Sequence, residues 1–143
     1  MRFTIFFAFL ISMNALSLEC IQEEETPELA WKEAHNVFVG YPFQAEYKRH
    51  KNGAVEITYQ FKVEKNMKGD SSSVLTARTE GAVYQLFQLG QIYAVFTDAL
   101  DKIDLCDPNY EFHYNWETGV NYGSSEREKN LIEALIKLNN AKP

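Results

Sequence analysis

From Val55 to Val63 apolar and polar residues alternate without a break, with Val55, Ile57, Tyr59, Phe61 and Val63 on one side and Glu56, Thr58, Gln60 and Lys62 on the other. A period of two is the mark of a strand with one buried face, and the pattern predicts such a strand ending at Lys65. The segment before it, 37–47, carries its apolar residues chiefly at odd positions as well. Pro42 interrupts that segment; lacking an amide hydrogen, it must lie on a strand edge or at a bulge.

Between the two runs stands His50-Lys51-Asn52-Gly53, a hairpin signal whose loop length follows from parity. A two-residue loop would set Tyr47 opposite Thr58 and join an apolar face to a polar one. A three-residue loop, Lys51-Asn52-Gly53 with Gly53 left-handed, pairs Tyr47 with Ile57, Ala45 with Tyr59 and Phe43 with Phe61, so the faces agree. We expect the second arrangement.

Further along, Lys68-Gly69-Asp70-Ser71 is a turn cluster, 74–79 a third strand, and Gly81 a break. Tyr84 to Phe87 runs into Gly90, and 91–97 follows as a strand that is apolar on both faces and therefore covered on both. Two helices flank these strands. Thr26 and Pro27 supply an N-cap and first helical residue for a helix reaching about His35, with Leu29, Ala30, Trp31 and Ala34 as its apolar face. Ser125 and Glu128 form a capping box for a second, whose stripe Leu131, Ile132, Leu135, Ile136 and Leu138 stops at Asn139 and Asn140 and packs against the sheet.

The N-terminus changes the picture from fold to compartment. Arg2, the short apolar run 3–11 and the small residues Ala15 and Ser17 predict a signal peptide over 1–17, leaving a single domain, 18–143, that is exported to the periplasm or the cell exterior. The run is too short to span a bilayer, and no second apolar stretch follows it. Export makes a disulfide the economical reading of the two cysteines, Cys20 and Cys106, a bond worth about 4 to 5 kcal/mol in the chain-entropy account. The formal charge of -6 argues against nucleic acid as a ligand. Basic residues gather only at Lys48, Arg49, His50 and Lys51, where a solvated hairpin tip accounts for them.

Candidate chemistry is sparse. His35, His50 and His113 share no ligand spacing, Glu111 with His113 is too small a set for a metal, and no phosphate loop, serine elbow or paired-cysteine motif occurs. No cofactor, metal or catalytic residue is expected. The unusual stretch is 110–116, where Tyr110, Phe112, Tyr114 and Trp116 would line one face of an extended segment. Such a face covers a core or seats a helix. Alternatively, it offers a platform for a small ligand, glycan or protein.

The order of landmarks adds a resemblance. An alanine-bearing helix leads into Val37-Phe38-Val39-Gly40; then come Phe61-Lys62-Val63, Lys68-Gly69, a strand to Thr79, Phe87, Gly90, Tyr93, Val95-Phe96 and finally Leu105-Cys106. The set, from Cys20 to about Cys106, resembles the netrin-like domains, which include the N-terminal domain of the tissue inhibitors of metalloproteinases. The resemblance implies a mainly β fold, a five-stranded antiparallel OB-fold barrel with the N-terminal and C-terminal helices packed on it. It also implies a Cys20 to Cys106 bridge, a non-catalytic binding role and a protein partner, with a metalloendopeptidase as the class. In those inhibitors the mature chain begins at a cysteine whose free amine and carbonyl chelate zinc. Here Leu18 and Glu19 precede Cys20, and an amide nitrogen is a poor ligand. Leu18, Glu19 and Cys20 are the binding residues the resemblance implies, beside the aromatic stretch.

Overall fold

The computed structural model describes residues 26–80, 87–103, 110–111, 114–115, 118, 120–121 and 126–141. The predicted signal segment, both cysteines, Leu18, Glu19, Phe112 and Trp116 lie outside them. A short helix α1 (Pro27–Glu33) precedes strands β1 (Asn36–Arg49), β2 (Val55–Lys68), β3 (Val74–Glu80) and β4 (Tyr93–Thr97), and helix α2 (Glu126–Asn140) closes the chain. The four strands form a curled antiparallel half-barrel in the order β3-β2-β1-β4. Three further strands are two residues long: β5 (Tyr110–Glu111) lies against Tyr93 and Ala94 of β4, and β6 (Tyr114–Asn115) pairs with β7 (Val120–Asn121).

The hairpin follows the parity argument at its tip and departs from it further down. Tyr47 pairs with Ile57 and Ala45 with Tyr59, and Gly53 has φ 86. His50 N–H donates to Ala54 O at 2.8 Å and Gly53 N–H to His50 O at 3.0 Å, closing the three-residue loop. Phe43, however, does not face Phe61; Pro42 does, and Phe43 is the extra residue of a bulge between Pro42 and Gln44. A missing donor at Pro42 leaves the ladder open at the point where the bulge forms.

That one residue exchanges the faces of β1. Val37 and Val39 pack with Ala30, Ala34, Met67, Ala94, Phe96, Leu131, Ile132 and Leu135 beneath the helices. Beyond the bulge, Ala45 lies opposite Tyr59, whose ring belongs to the other cluster with Phe38, Phe61, Leu75, Ala77, Phe87, Tyr93 and Val95. Two cores thus share one continuous pair of strands. β4 serves both, as its apolar pattern requires: all five residues are buried, with Ala94 and Phe96 toward the helices and Tyr93 and Val95 toward the aromatic cluster.

Two details differ from expectation. β2 runs to Lys68 rather than Lys65, because the buried N-terminal half of β1 pairs with Asn66 and Lys68 and draws them into the ladder despite their polarity. Leu29 is 45% exposed, so only Ala30, Ala34 and the partly buried Trp31 bind α1 to the core. At its start α1 matches the sequence, with Leu29 N–H donating to Thr26 Oγ1 at 3.3 Å.

The end of α1 has no glycine; Ala34 turns away at φ -61, ψ 140. Its last carbonyls are capped from outside by Lys68, whose ammonium donates to the carbonyl oxygens of Trp31 and Ala34 and, at 3.2 Å, to that of Lys32. Three donors meet three acceptors at the negative end of a helix. Partial burial at the same time draws the Lys68 pKa below its ordinary value, because leaving water penalises the charged form. Lys68→Met keeps the stem and removes the donors. Stability should fall by roughly 1 to 3 kcal/mol, read from urea unfolding, with faster amide exchange confined to α1.

Candidate functional site

Every residue from Phe43 to Arg49 is exposed, although the same strand is almost wholly buried from Asn36 to Pro42. The cause is geometric. β4 pairs with β1 only from Asn36 to Gly40, and beyond Gly40 no described strand lies along that side of β1. Among the described strands the outer half of β1 is therefore bonded on one edge alone, by β2, which is itself paired with β3 as far as Glu56.

The free edge has a definite hydrogen-bonding pattern. Because His50 N–H bonds to Ala54, alternation along an antiparallel ladder turns the amides and carbonyls of Lys48, Glu46 and Gln44 toward β2. Those of Arg49, Tyr47 and Ala45 point away from it. β2 shows the complementary parity, since Val63 N–H donates to Ser73 O on the β3 side at 2.9 Å. At the inner end of the edge, Gly90 N–H reaches Pro42 O at 2.8 Å, so the turn bearing Leu89 borders Phe43.

The side chains around this edge are apolar at the base and basic at the tip. Phe43 is 46% exposed, Tyr47 61% and Leu89 54%, an unusual set of large apolar groups for one end of a small domain. Arg49 Nη2 donates to the Tyr47 hydroxyl at 3.4 Å, and Gln44 Nε2 to Glu46 Oε1 at 3.1 Å. His50 Nε2 lies 3.5 Å from a Glu56 carboxylate oxygen, while Lys48, Arg49 and Lys51 project into solvent. The basic run is thus at the tip of a hairpin, as the sequence implied.

The opposite end of the sheet is fixed rather than open. Asn36 is buried, its amide donating to Thr97 Oγ1 at 3.4 Å and its Oδ1 accepting Asp70 N–H at 2.9 Å, which ties the β2–β3 turn to the end of β4. Asp70 in turn accepts Ser72 Oγ at 2.8 Å and Ser72 N–H at 2.9 Å, and those bonds, the hydroxyl first, lower its pKa. Asp98 accepts the amides of Leu100 and Lys102 at 2.7 and 2.9 Å, shaping a loop that leans on β3. These polar groups satisfy turns.

Of the aromatic stretch, Tyr110 and Tyr114 lie among the described residues. Tyr110 belongs to the ladder on β4 and Tyr114 to the separate β6–β7 pair. Among the described residues no group of three or more His, Cys, Asp or Glu side chains could hold a metal, and no helix is long and apolar enough to cross a membrane. No family model and no curated protein matches the chain. Sequence reasoning passed over Phe43 and Tyr47 because alternation placed them on the apolar face; Pro42 was the available signal that the pairing of Phe43 would change.

Proposed function

We propose that the chain is an exported, non-catalytic binding module whose partner is a protein, built on an OB-type barrel of netrin-like character. The observation that carries the reading is the outer half of β1, where seven consecutive residues are exposed and large apolar groups stand beside a strand edge that no described strand pairs with. Exposed aromatics with polar and cationic neighbours are the composition of protein interfaces. Enzymes, by contrast, gather convergent polar groups in a cleft.

The barrel reading draws support from the segment after β4. Lys102 bridges Arg78 of β3 in parallel, with Arg78 N–H donating to Asp101 O at 2.7 Å and Ile103 N–H to Arg78 O at 2.9 Å. The chain leaving one edge of the half-barrel thereby touches the other edge, which is the contact a closed barrel needs. β5 on β4 extends the same side.

A metalloendopeptidase is the partner class that the sequence resemblance suggests. With Leu18 and Glu19 ahead of Cys20, zinc chelation by a terminal amine is not the mechanism, and inhibition would rest on surface contact. The test is titration of the natively processed protein into a panel of metalloendopeptidases, alongside crosslinking in the exported fraction. Stoichiometric loss of one protease activity supports the reading. No inhibition together with no crosslinked protein overturns it, and N-terminal sequencing that begins at Cys20 would restore zinc chelation.

A further inference from the structure

The free edge of β1 restricts what can bind there more narrowly than exposure alone does. Ala45, Tyr47 and Arg49 direct an alternating series of amides and carbonyls away from β2. A lipid surface or a polysaccharide cannot answer that series in register; an extended polypeptide can, with the strand repeat that β2 already supplies on the other edge. Resting on the binding-module reading, we propose that β1 accepts an extended acidic segment of the partner as an added antiparallel strand along Ala45 to Arg49.

The chemistry of the segment follows from what flanks the edge. Ala45 and Tyr47 share a face with Tyr59 and Ile57, the buried and half-buried edge of the aromatic cluster. An added strand with apolar residues at alternate positions would extend that cluster over Tyr47. Lys48, Arg49 and Lys51 are exposed at the tip, and among the described residues His50 there is the one paired with a carboxylate. Antiparallel addition brings the N-terminal end of the incoming strand to the tip, so its acidic residues belong at that end. The fixed ends of the edge, Pro42 with its carbonyl taken by Gly90 and the loop at Lys51, limit the added strand to the segment between them. Lysines on a strand edge discourage pairing with unselected chains, and here they also select for negative charge.

The probe is an acetylated alternating valine–threonine peptide with a pair of glutamates at its N-terminal end, titrated into the full mature chain and followed by amide shifts and hydrogen exchange. The expected result is saturable binding that protects the amides of Ala45, Tyr47 and Arg49 and weakens as salt rises. Lys48→Glu with Arg49→Glu should weaken it by about tenfold or more. Tyr47→Pro should abolish it while Tyr47→Val, which keeps the amide, retains it. If Tyr47→Pro does not fold, the exchange pattern of the unmutated chain still decides.

Equal binding of the same peptide with lysines in place of the glutamates overturns the proposal, as does protection elsewhere. Retention on phosphatidylglycerol vesicles without peptide binding also overturns it, in favour of a lipid surface. A protein partner whose binding survives Tyr47→Pro overturns the added strand and leaves the binding-module reading standing. Peptide binding in a chain that retains no partner and inhibits no protease would fault that reading, not the edge.

Discussion

Phe61→Ala is expected to cost roughly 3 to 5 kcal/mol, the largest single loss in the chain. Phe61 is fully buried and meets Phe38 edge-on at 5.5 Å and Phe87 edge-on at 5.1 Å, with Tyr59 tilted at 6.2 Å. Phe87 continues the contact to Tyr59 at 5.1 Å and to Tyr93 at 4.8 Å. The rings therefore bind β1, β2, the segment before β4 and β4 itself into one cluster. Truncation removes transfer energy and also leaves a cavity bounded by rigid rings that close it poorly. Guanidinium unfolding followed by intrinsic fluorescence is the measurement. Phe61→Leu, which keeps most of the volume, should recover more than half of the loss; equal, small losses in both variants would show that the cluster is not the core.

Gly69→Ala should destabilise by about 3 kcal/mol or more, against about 1 kcal/mol for Gly53→Ala. Both glycines have φ 86, so the left-handed backbone strain is common to the two. Their surroundings are not. A Cβ at Gly53 meets nothing within 4 Å, whereas at Gly69 it falls against Asn36 Oδ1 and the His35 carbonyl oxygen. Neither neighbour can withdraw cheaply, because Asn36 is held by Asp70 and Thr97 and His35 N–H donates to Thr97 O at 2.7 Å. Thermal unfolding of the two variants side by side isolates the steric part; equal shifts would mean that the turn is free to move.

Much of the scaffold was legible in the sequence for physical reasons. The doubly apolar run 91–97 could only be a strand covered on both faces, and Tyr93 to Thr97 is one. Parity across Lys51-Asn52-Gly53 fixed the pairing of Tyr47 with Ile57 because opposed residues share a face. The same argument failed at Phe43, since a bulge breaks the counting that parity relies on, and nothing in the identity of Phe43 itself announces it. Lys68 was read as part of a turn; its capping of α1 depends on a contact across 34 to 37 positions of sequence, which no local pattern carries. The candidate site was legible only as a basic hairpin tip. That β1 loses its second neighbour after Gly40 is a property of strand order and length, and periodicity within one strand does not contain it.

The bulge at Phe43 also sets a rule for length variation in the hairpin. Every residue between Gln44 and Gln60 is in register, so adding one residue to each strand at its tip lengthens the finger and preserves each face below the addition. Removing Phe43 alone would close the bulge and make Pro42–Phe61 and Gln44–Gln60 consecutive pairs, so Ala45 and Tyr47 would keep the face they share with Tyr59 and Ile57. Length in this hairpin is therefore quantised: related chains could differ in its reach by matched pairs of residues, while a single unmatched residue in one strand has to be taken up as a bulge, as Phe43 is.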